Sequence, residues 1–368
     1  MAEIEKKEKK REKKKKRGWF SRMTFGTVCL VLSGLLALSY VSSIVNPAKA
    51  WVFTIFGLLF VPLGILTVFF FFWAAFRRSR MTGLLVVMLL PAVFLIGKYF
   101  QFRAPEPERE PTLKVVSYNV GLFVHGDMGD KRLVLADSVA AFLRRTDADI
   151  ICLQEFHLPN TLNMDAWFRD RFPGYRAEYY VLTGESGHAG NVTLTRLPVL
   201  YKGKLDFEKS TNLALHTDIQ LDSTVLRFYN CHFESYNISL SGLVKSIGHK
   251  TDEVVEDTGR KMRRSITQRP RQVEEVMKDV DECPVRSVVL GDFNDNPLSY
   301  TVHRLSRGRQ DTFVQAGKGF GATFRHLWPL LRIDYILYPR DLHAVSYEVP
   351  KVKYSDHYPV IATYYETR

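Results

Sequence analysis

Three stretches of the chain carry no charged side chain: Met23–Ala48, Ala50–Phe76 and Met81–Gly97. Nothing else in the sequence restricts the fold as much. A helix crosses a bilayer with about 20 apolar residues, each rising about 1.5 Å, and the first two runs reach that length with some tilt. The third is short, but Lys98 and Tyr99 suit an interface, and Phe100–Phe102 extends it. The first run is too long for the apolar part of a signal peptide, and no small-residue cleavage site stands out. Three spans are therefore expected, at about 23–45, 51–76 and 81–102. The runs hold no charged residue, which leaves no polar pathway for a transporter or channel.

Charge divides the chain in the same place. The first 103 residues hold 17 Lys/Arg against 4 Asp/Glu, and the remaining 265 hold 34 against 35. The high pI is thus no nucleic-acid footprint of the globular part. The tail Lys6–Arg17 and the second connection (Arg77, Arg78, Arg80) are basic, whereas the first connection has only Lys49. Basic loops stay in the cytoplasm. With three spans, everything after Arg103 lies outside it; with two, the domain would be cytoplasmic. The expected product is a multi-pass protein of the cell (inner) membrane with the bilayer as its partner, and no protein partner is implied. The tail, 1–22, reads as a solvated, disordered topology signal that touches anionic lipid. Ala104–Pro111 (APEPEREP) reads as a stiff linker, so a folded domain occupies 112–368. Cys29, Cys152, Cys231 and Cys283 have neither metal-ligand spacing nor a disulfide framework.

Within that domain, short apolar runs end abruptly in polar residues. Leu113–Val120 reads as a strand with Asn119 at its end. Ile150–Leu153 runs into Gln154 and Glu155. Val192–Thr195 precedes Arg196, and Val225–Cys231 ends in His232. Val285–Leu290 leads to Gly291, Asp292, Phe293 and Asn294. Ile333–Tyr338 holds Asp334, and Tyr358–Tyr364 follows Ser355, Asp356 and His357. Helical spacing recurs at Leu135, Val139, Phe142 and Leu143 and again at Val273, Val276, Met277 and Val280. Both periods together give an α/β (α+β) class. Continuous apolar runs are strands buried on both faces, and their polar ends lie at a sheet rim, where ligands bind in such folds. Singly, each polar residue is an ordinary turn or cap. Jointly, they set carboxylates beside imidazoles at the mouths of buried strands.

Those residue types suit metal-assisted hydrolysis. Mg²⁺ takes oxygen ligands and keeps several waters, so one or two carboxylates suffice, and Glu155 is a good candidate. An Asp beside a metal can act as base toward water, with an Asn amide orienting it. Histidines can bond phosphate oxygens or protonate a leaving group. The chain has no zinc-type cluster, no P-loop and no GxSxG elbow.

From about Leu113 to Tyr364 the chain resembles the endonuclease/exonuclease/phosphatase superfamily, in a membrane-anchored bacterial form. That fold is shared by pancreatic-type deoxyribonuclease, abasic endonucleases, neutral sphingomyelinases and inositol polyphosphate phosphatases. The blocks that carry the likeness come in the family's order: Ser117–Val120, Leu153–Glu155, Gly190–Pro198, Asn230–Phe233, Gly291–Asn294, Arg332–Ile336 and Ser355–Pro359. The resemblance implies a four-layer α/β/β/α sandwich of two mixed sheets with the active site at one rim. It implies that Glu155 ligates Mg²⁺ or Mn²⁺ with Asn119 beside it, and that Asp356 helps hold the metal site. Asp292 and Asn294 would handle the attacking water or the phosphate, and Asp334 and His357 would form an orienting pair. Either Asp292 or that pair would be the base. His232 would donate to the leaving oxygen or stabilise the transition state. A His at 232, where abasic endonucleases carry a Tyr, resembles the deoxyribonuclease, sphingomyelinase and phosphatase branches.

The long polar insert from Glu234 to Gln272 departs from the compact pattern. Its acids (Asp252, Glu253, Glu256, Asp257) precede a basic run of Arg260, Lys261, Arg263, Arg264, Arg269 and Arg271. It reads either as a solvated amphipathic helix or as a clamp for an anionic substrate or membrane surface, with Arg263 and Arg264 as substrate contacts. Arg332 reads as a substrate contact or an exposed strand arginine. His125, His157, His188, His216, His303, His326 and His343 read as surface or turn residues.

The expectation is a membrane-anchored, metal-dependent phosphohydrolase that attacks phosphoesters, diesters before monoesters, with activated water. An extracytoplasmic nuclease is the alternative within the same chemistry. A catalytically silent tethered binding protein is the alternative outside it. The intact set of Glu155, Asp292, Asn294, Asp356 and His357 speaks against the silent form.

Overall fold

The structure, a computed structural model, describes residues 2–102, 109–124, 132–185, 187–235 and 252–366. Linker residues 104–108 and His125 fall outside that set. Helix α1 (Ala2–Val41) is continuous from the basic tail into the first apolar run. This corrects the expectation of a disordered tail: Lys, Arg and Glu are strong helix formers, and an apolar helix lies immediately downstream for them to extend.

Among the described residues, two helical stretches are long and apolar enough to cross a membrane, Arg22–Val41 and Met81–Lys98. The second comprises α4 (Met81–Leu95) and a 3₁₀ turn. The middle run is split into α2 (Val52–Leu58) and α3 (Phe60–Phe76), which meet at 60°. Pro62 is a physical reason for the break, since it has no N–H for the carbonyl four residues back. The expected three spans become two plus a bent pair, or three if the pair counts as one. Phe25, Cys29, Ala74 and Leu85 are buried where α1, α3 and α4 meet.

Fourteen strands follow: β1 (Phe100–Gln101), β2 (Leu113–Asn119), β3 (Ile150–Leu158), β4 (Arg176–Gly184), β5 (Gly187–Thr195), β6 (Val199–Asp206), β7 (Leu213–Leu221), β8 (Thr224–His232), β9 (Arg286–Asp292), β10 (Arg309–Asp311), β11 (Gly319–Phe320), β12 (Asp334–Pro339), β13 (Leu342–Glu348) and β14 (Val360–Glu366). Twelve of them build two six-stranded mixed sheets, ordered β13-β14-β2-β3-β5-β4 and β10-β12-β9-β8-β7-β6, and β1 and β11 form a separate pair. In each sheet one central pair is parallel, β2 with β3 and β8 with β9, and the remaining pairs are antiparallel.

Alternation along these buried strands makes the layers. Leu113, Val115, Ile150 and Cys152 face Leu226, Phe228, Val288 and Leu290 between the sheets. Val116, Tyr118, Ile151 and Leu153 turn the other way, onto α5 (Arg132–Arg145) and α6 (Met164–Arg171). On the far side, Tyr229, Cys231 and Val289 pack on Val273, Val276, Met277 and Val280 of α7 (Asp252–Glu282) and on Val302 and Leu305 of α8 (Tyr300–Leu305). The result is the expected four-layer sandwich. It does not stand apart from the apolar helices. β1 pairs with β11, and Leu298 is buried in one cluster with Leu36 and Phe60.

Candidate active site

Asn119, Glu155, His232 and Asp292 all sit at or just inside the carboxyl ends of the four strands that make the two parallel pairs. His232 lies opposite Asp292 in register, and so does Asp334. A β-bulge after Leu153 takes Glu155 out of the ladder at φ 50° and re-aims its side chain. Gly291 (φ 127°) lets β9 pass so close to β8 that a Cβ there would run into the Cys231 carbonyl oxygen. Below the rim the sheets are pinned by buried amides. Gln154 Nε2 donates to Asn230 Oδ1 at 2.7 Å, Asn230 Nδ2 to the Val192 carbonyl at 2.9 Å, and Asn191 Nδ2 to the Asn230 carbonyl at 2.9 Å.

Above that bracket the ionisable groups converge on Asp292, which is 1% exposed. Asn119 Nδ2 donates to Glu155 Oε1 and to Asp292 Oδ2. The Asn294 amide N–H donates to Asp292 Oδ1 at 2.8 Å, and its side chain donates to Asp292 Oδ2 at 3.1 Å. His232 Nε2 stands 3.3 Å from Glu155 Oε1 and 3.8 Å from Asp292 Oδ2. His357 Nε2 is 3.7 Å from that same oxygen, and its Nδ1 is held by Asp334 at 3.0 Å.

Burial pushes the Asp292 carboxyl up to about 6, and Asp334 adds to the rise against the pull of His357 and His232. Burial also pushes Glu155 upward. The His232 contact and the Asn119 hydrogen bond outweigh it and hold that carboxyl at about 2. Burial lowers both imidazoles, but Glu155 raises His232 and Asp334 raises His357 well above the ordinary range.

Glu155, His232 and Asp292 offer ligand atoms within 4.8 Å of one another, and so do Asp292, Asp334 and His357. Two neighbouring carboxylates met by amides and imidazoles, with no Lys or Arg bonded to either among the described residues, fit a hard divalent cation. Glu155 would hold it with Asp292 at its side.

Other expected site residues lie elsewhere or act differently. Asn119 turns its amide nitrogen to the carboxylates and its oxygen to the Gly121 N–H, so it is a bracket here and not an oxygen ligand. Asp356 joins neither ligand group; its Oδ1 accepts from Ser355 Oγ and its carbonyl from Arg325 N. Arg332 is neither a substrate contact nor exposed. Its guanidinium is buried against Tyr335 and Phe313, forks onto Asp311 at 2.8 and 2.9 Å, and donates to the Lys98 carbonyl. Of the basic run, Arg264 lines the cleft and Arg263 lies over Trp51, while Arg269 is buried and paired with Asp295 at 3.1 Å. His157 and His216 are core residues. Sequence reasoning missed Gln154, Asn230, Arg269 and Asp295 as supports of the site. Gln154 and Asn230 lie inside the family blocks and Asp295 follows Asn294, whereas Arg269 has no such signal.

The model of the Endonuclease/Exonuclease/phosphatase family matches residues 116–357, which include every residue that converges on Asp292. The chain belongs to this family. A domain of unknown function matches residues 22–99, the apolar helices. No curated protein matches. Among solved structures, an endonuclease/exonuclease/phosphatase from Beutenbergia cavernae is similar at 18% identity, TM-score 0.51, covering 70% of this chain and 72% of that one. A mannosyl-6-phosphatase from Bacteroides thetaiotaomicron is similar at 17% identity, TM-score 0.50, covering 69% and 100%. The human Nocturnin catalytic domain with bound sulfate is similar at 14% identity, TM-score 0.50, covering 73% and 97%. These likenesses show the endonuclease/exonuclease/phosphatase fold. Members of the family are hydrolases of phosphoester bonds.

Proposed function

We propose that the protein is a membrane-anchored phosphoester hydrolase that uses Mg²⁺ or Mn²⁺, prefers diesters, and holds its catalytic part on the side opposite the basic tail. The observation that carries the chemistry is the convergence of His232 and His357, at 3.8 and 3.7 Å, on one oxygen of a buried Asp292 that shares the Asn119 amide with Glu155. A carboxyl near 6 is well matched to accept the proton of an attacking water, and the Asn294 amide is placed to orient that water. His357, kept protonated by Asp334, and His232 are donors for the charge that builds on phosphoryl oxygens. A divalent cation, when bound, adds further neutralisation of that charge.

The cleft beside Glu155 and His232 has a volume of about 970 Å³, which leaves room for groups on both sides of a phosphate. Placement of the domain is supported by its docking points. It meets Ser42, Asn46 and Trp51 around the first connection and Lys98–Gln101 beyond the last helix. Arg77, in the second connection, lies over Phe25, near the tail end of the first apolar stretch.

The test is hydrolysis by the detergent-purified full chain, with Mn²⁺ or Mg²⁺ and with EDTA, beside Asp292→Ala. The panel is plasmid DNA, RNA, phospholipid head groups and a sugar phosphate monoester. Metal-dependent cleavage lost in the variant is expected. Cleavage that survives EDTA or the substitution rejects the reading.

A further inference from the structure

Two residues beyond the catalytic Asn294, the chain leaves the hydrolase core and enters the helices of the membrane segment. Asn296 Oδ1 accepts from Tyr99 OH at 3.2 Å and from Leu298 N at 2.8 Å. Leu298, 2% exposed, is buried with Leu36 and Phe60, and Tyr40, Val61, Met88 and Tyr99 pack around them. Its carbonyl accepts from Ser42 Oγ at 3.1 Å, and Asn46 Nδ2 donates to Tyr300 OH at 3.3 Å. Gly57 keeps the seam closed, since a Cβ there would run into Ser42 Oγ. Residues 296 and 298 of one loop, and 300 at the start of α8, are thus each gripped by the apolar helices or their connections.

The same loop is gripped from the other side. The Asp295 carboxylate accepts from Thr301 Oγ1 at 2.9 Å and pairs with buried Arg269, whose Nε donates to the Glu234 carbonyl at 2.8 Å. Glu234 lies two residues past His232. Between these anchors Asn294 sits at φ 52°, in the left-handed region. Asn tolerates that conformation, and the residues that follow it are held on one side by Arg269 and on the other by the membrane segment.

We propose that the membrane segment is a positioning element of the active site, with Leu298 and Asn296 as the positioning residues that hold Asp292 and Asn294 in register with His232 and Glu155. The inference rests on the phosphohydrolase reading above. It goes beyond anchoring: the helices form part of the wall that shapes the catalytic loop.

The experiment uses the full chain in micelles with bis(4-nitrophenyl) phosphate and Mn²⁺. The value of kcat is counted per Mn²⁺ site from calorimetric stoichiometry, so unfolded protein does not enter. Leu298→Ala is expected to lower kcat by about tenfold or more with KM within about twofold, because small displacements of catalytic groups act on the transition state. Leu298→Met, which refills the space, should recover most of the rate. Should Leu298→Ala not fold, Tyr99→Phe removes only one hydroxyl and should still lower kcat by about threefold at unchanged KM. A second arm cuts the full chain at a protease site placed in 104–108. The two halves should stay together and active, and Leu298→Ala should release the catalytic half with loss of rate. Wild-type kcat in Leu298→Ala or Tyr99→Phe, or a released half that turns over at the uncut rate, overturns the proposal alone. A wild-type chain without metal-dependent turnover overturns the hydrolase reading instead.

Discussion

The Asn119 amide nitrogen donates to Glu155 at 3.0 Å and to Asp292 at 2.9 Å, joining carboxylates from two different sheets. Replacing this donor with an acid makes the bracket repulsive. Asn119→Asp should destabilise the metal-free protein by about 2 kcal/mol, and Mn²⁺ should return much of that loss by binding the native state. Thermal melting with and without Mn²⁺ reads both effects. An unchanged melting point in EDTA would mean that the amide does not separate the carboxylates.

Proton linkage at Asp292 has a definite sign. Its carboxyl is pushed up to about 6 by burial, so it is neutral below that pH and ionised above it. In the proposed metal site Mn²⁺ would displace that proton, and its affinity should fall about tenfold between about pH 7 and about pH 5. Titration calorimetry at the two values checks this. A flat affinity would place Asp292 outside the ligand group.

Asp334 holds the His357 Nδ1 at 3.0 Å. Asp334→Asn should lower kcat by about a hundredfold with little change in KM, since the imidazolium loses both its orienting partner and its charge support. Steady-state kinetics on the full chain measure the split. A change confined to KM would contradict the pairing.

Backbone geometry separates two glycines. Gly291 has φ 127° and no room for a Cβ beside Cys231, whereas Gly174 has φ 84° and open space. Gly291→Ala should cost about 3 kcal/mol or more and disrupt the Asp292 rim, while Gly174→Ala should cost only about 1 kcal/mol. Denaturant melts of the two variants decide it.

Two arginines once grouped as substrate contacts should part ways. Arg332→Ala leaves half-buried Asp311 without its fork and empties a buried site, and should cost about 3 kcal/mol of stability. Arg264, exposed on the cleft wall, should on replacement by Ala leave the melting point unchanged and raise KM for an anionic substrate. Melting curves and KM values for both variants are the check.

Much of this architecture was legible because strands buried on both faces leave continuous apolar runs, as in Ile150–Leu153 and Val285–Leu290. Those runs deliver Glu155 and Asp292 to the rim. Strands β4 and β6 were not legible. They lie at sheet edges, and residues such as Glu178, Lys202 and Lys204 break their pattern; those three form ion pairs in the fold. β7 hides for another reason: Asp218 is buried, but only through its fork with Arg227 on the next strand. The role of Arg332 was misread because a buried arginine and an exposed one look alike in sequence. Only the distant Asp311 distinguishes them. The helix around Arg269 was legible as an amphipathic helix, but the burial of Arg269 itself was hidden for the same reason.

The two parallel pairs place Asn119, Glu155, His232 and Asp292 at or near strand ends, while the β4–β5 hairpin, the β6–β7 connection and Arg264 of α7 line the cleft. Chemistry and selectivity are therefore written in separable parts of the chain. Mutation can lengthen or recharge the sequence between Glu234 and Arg269, provided those two residues keep their hold on the Asp295 loop, without disturbing the ladder that carries the site residues. A lineage built this way can change what it cleaves while keeping how it cleaves.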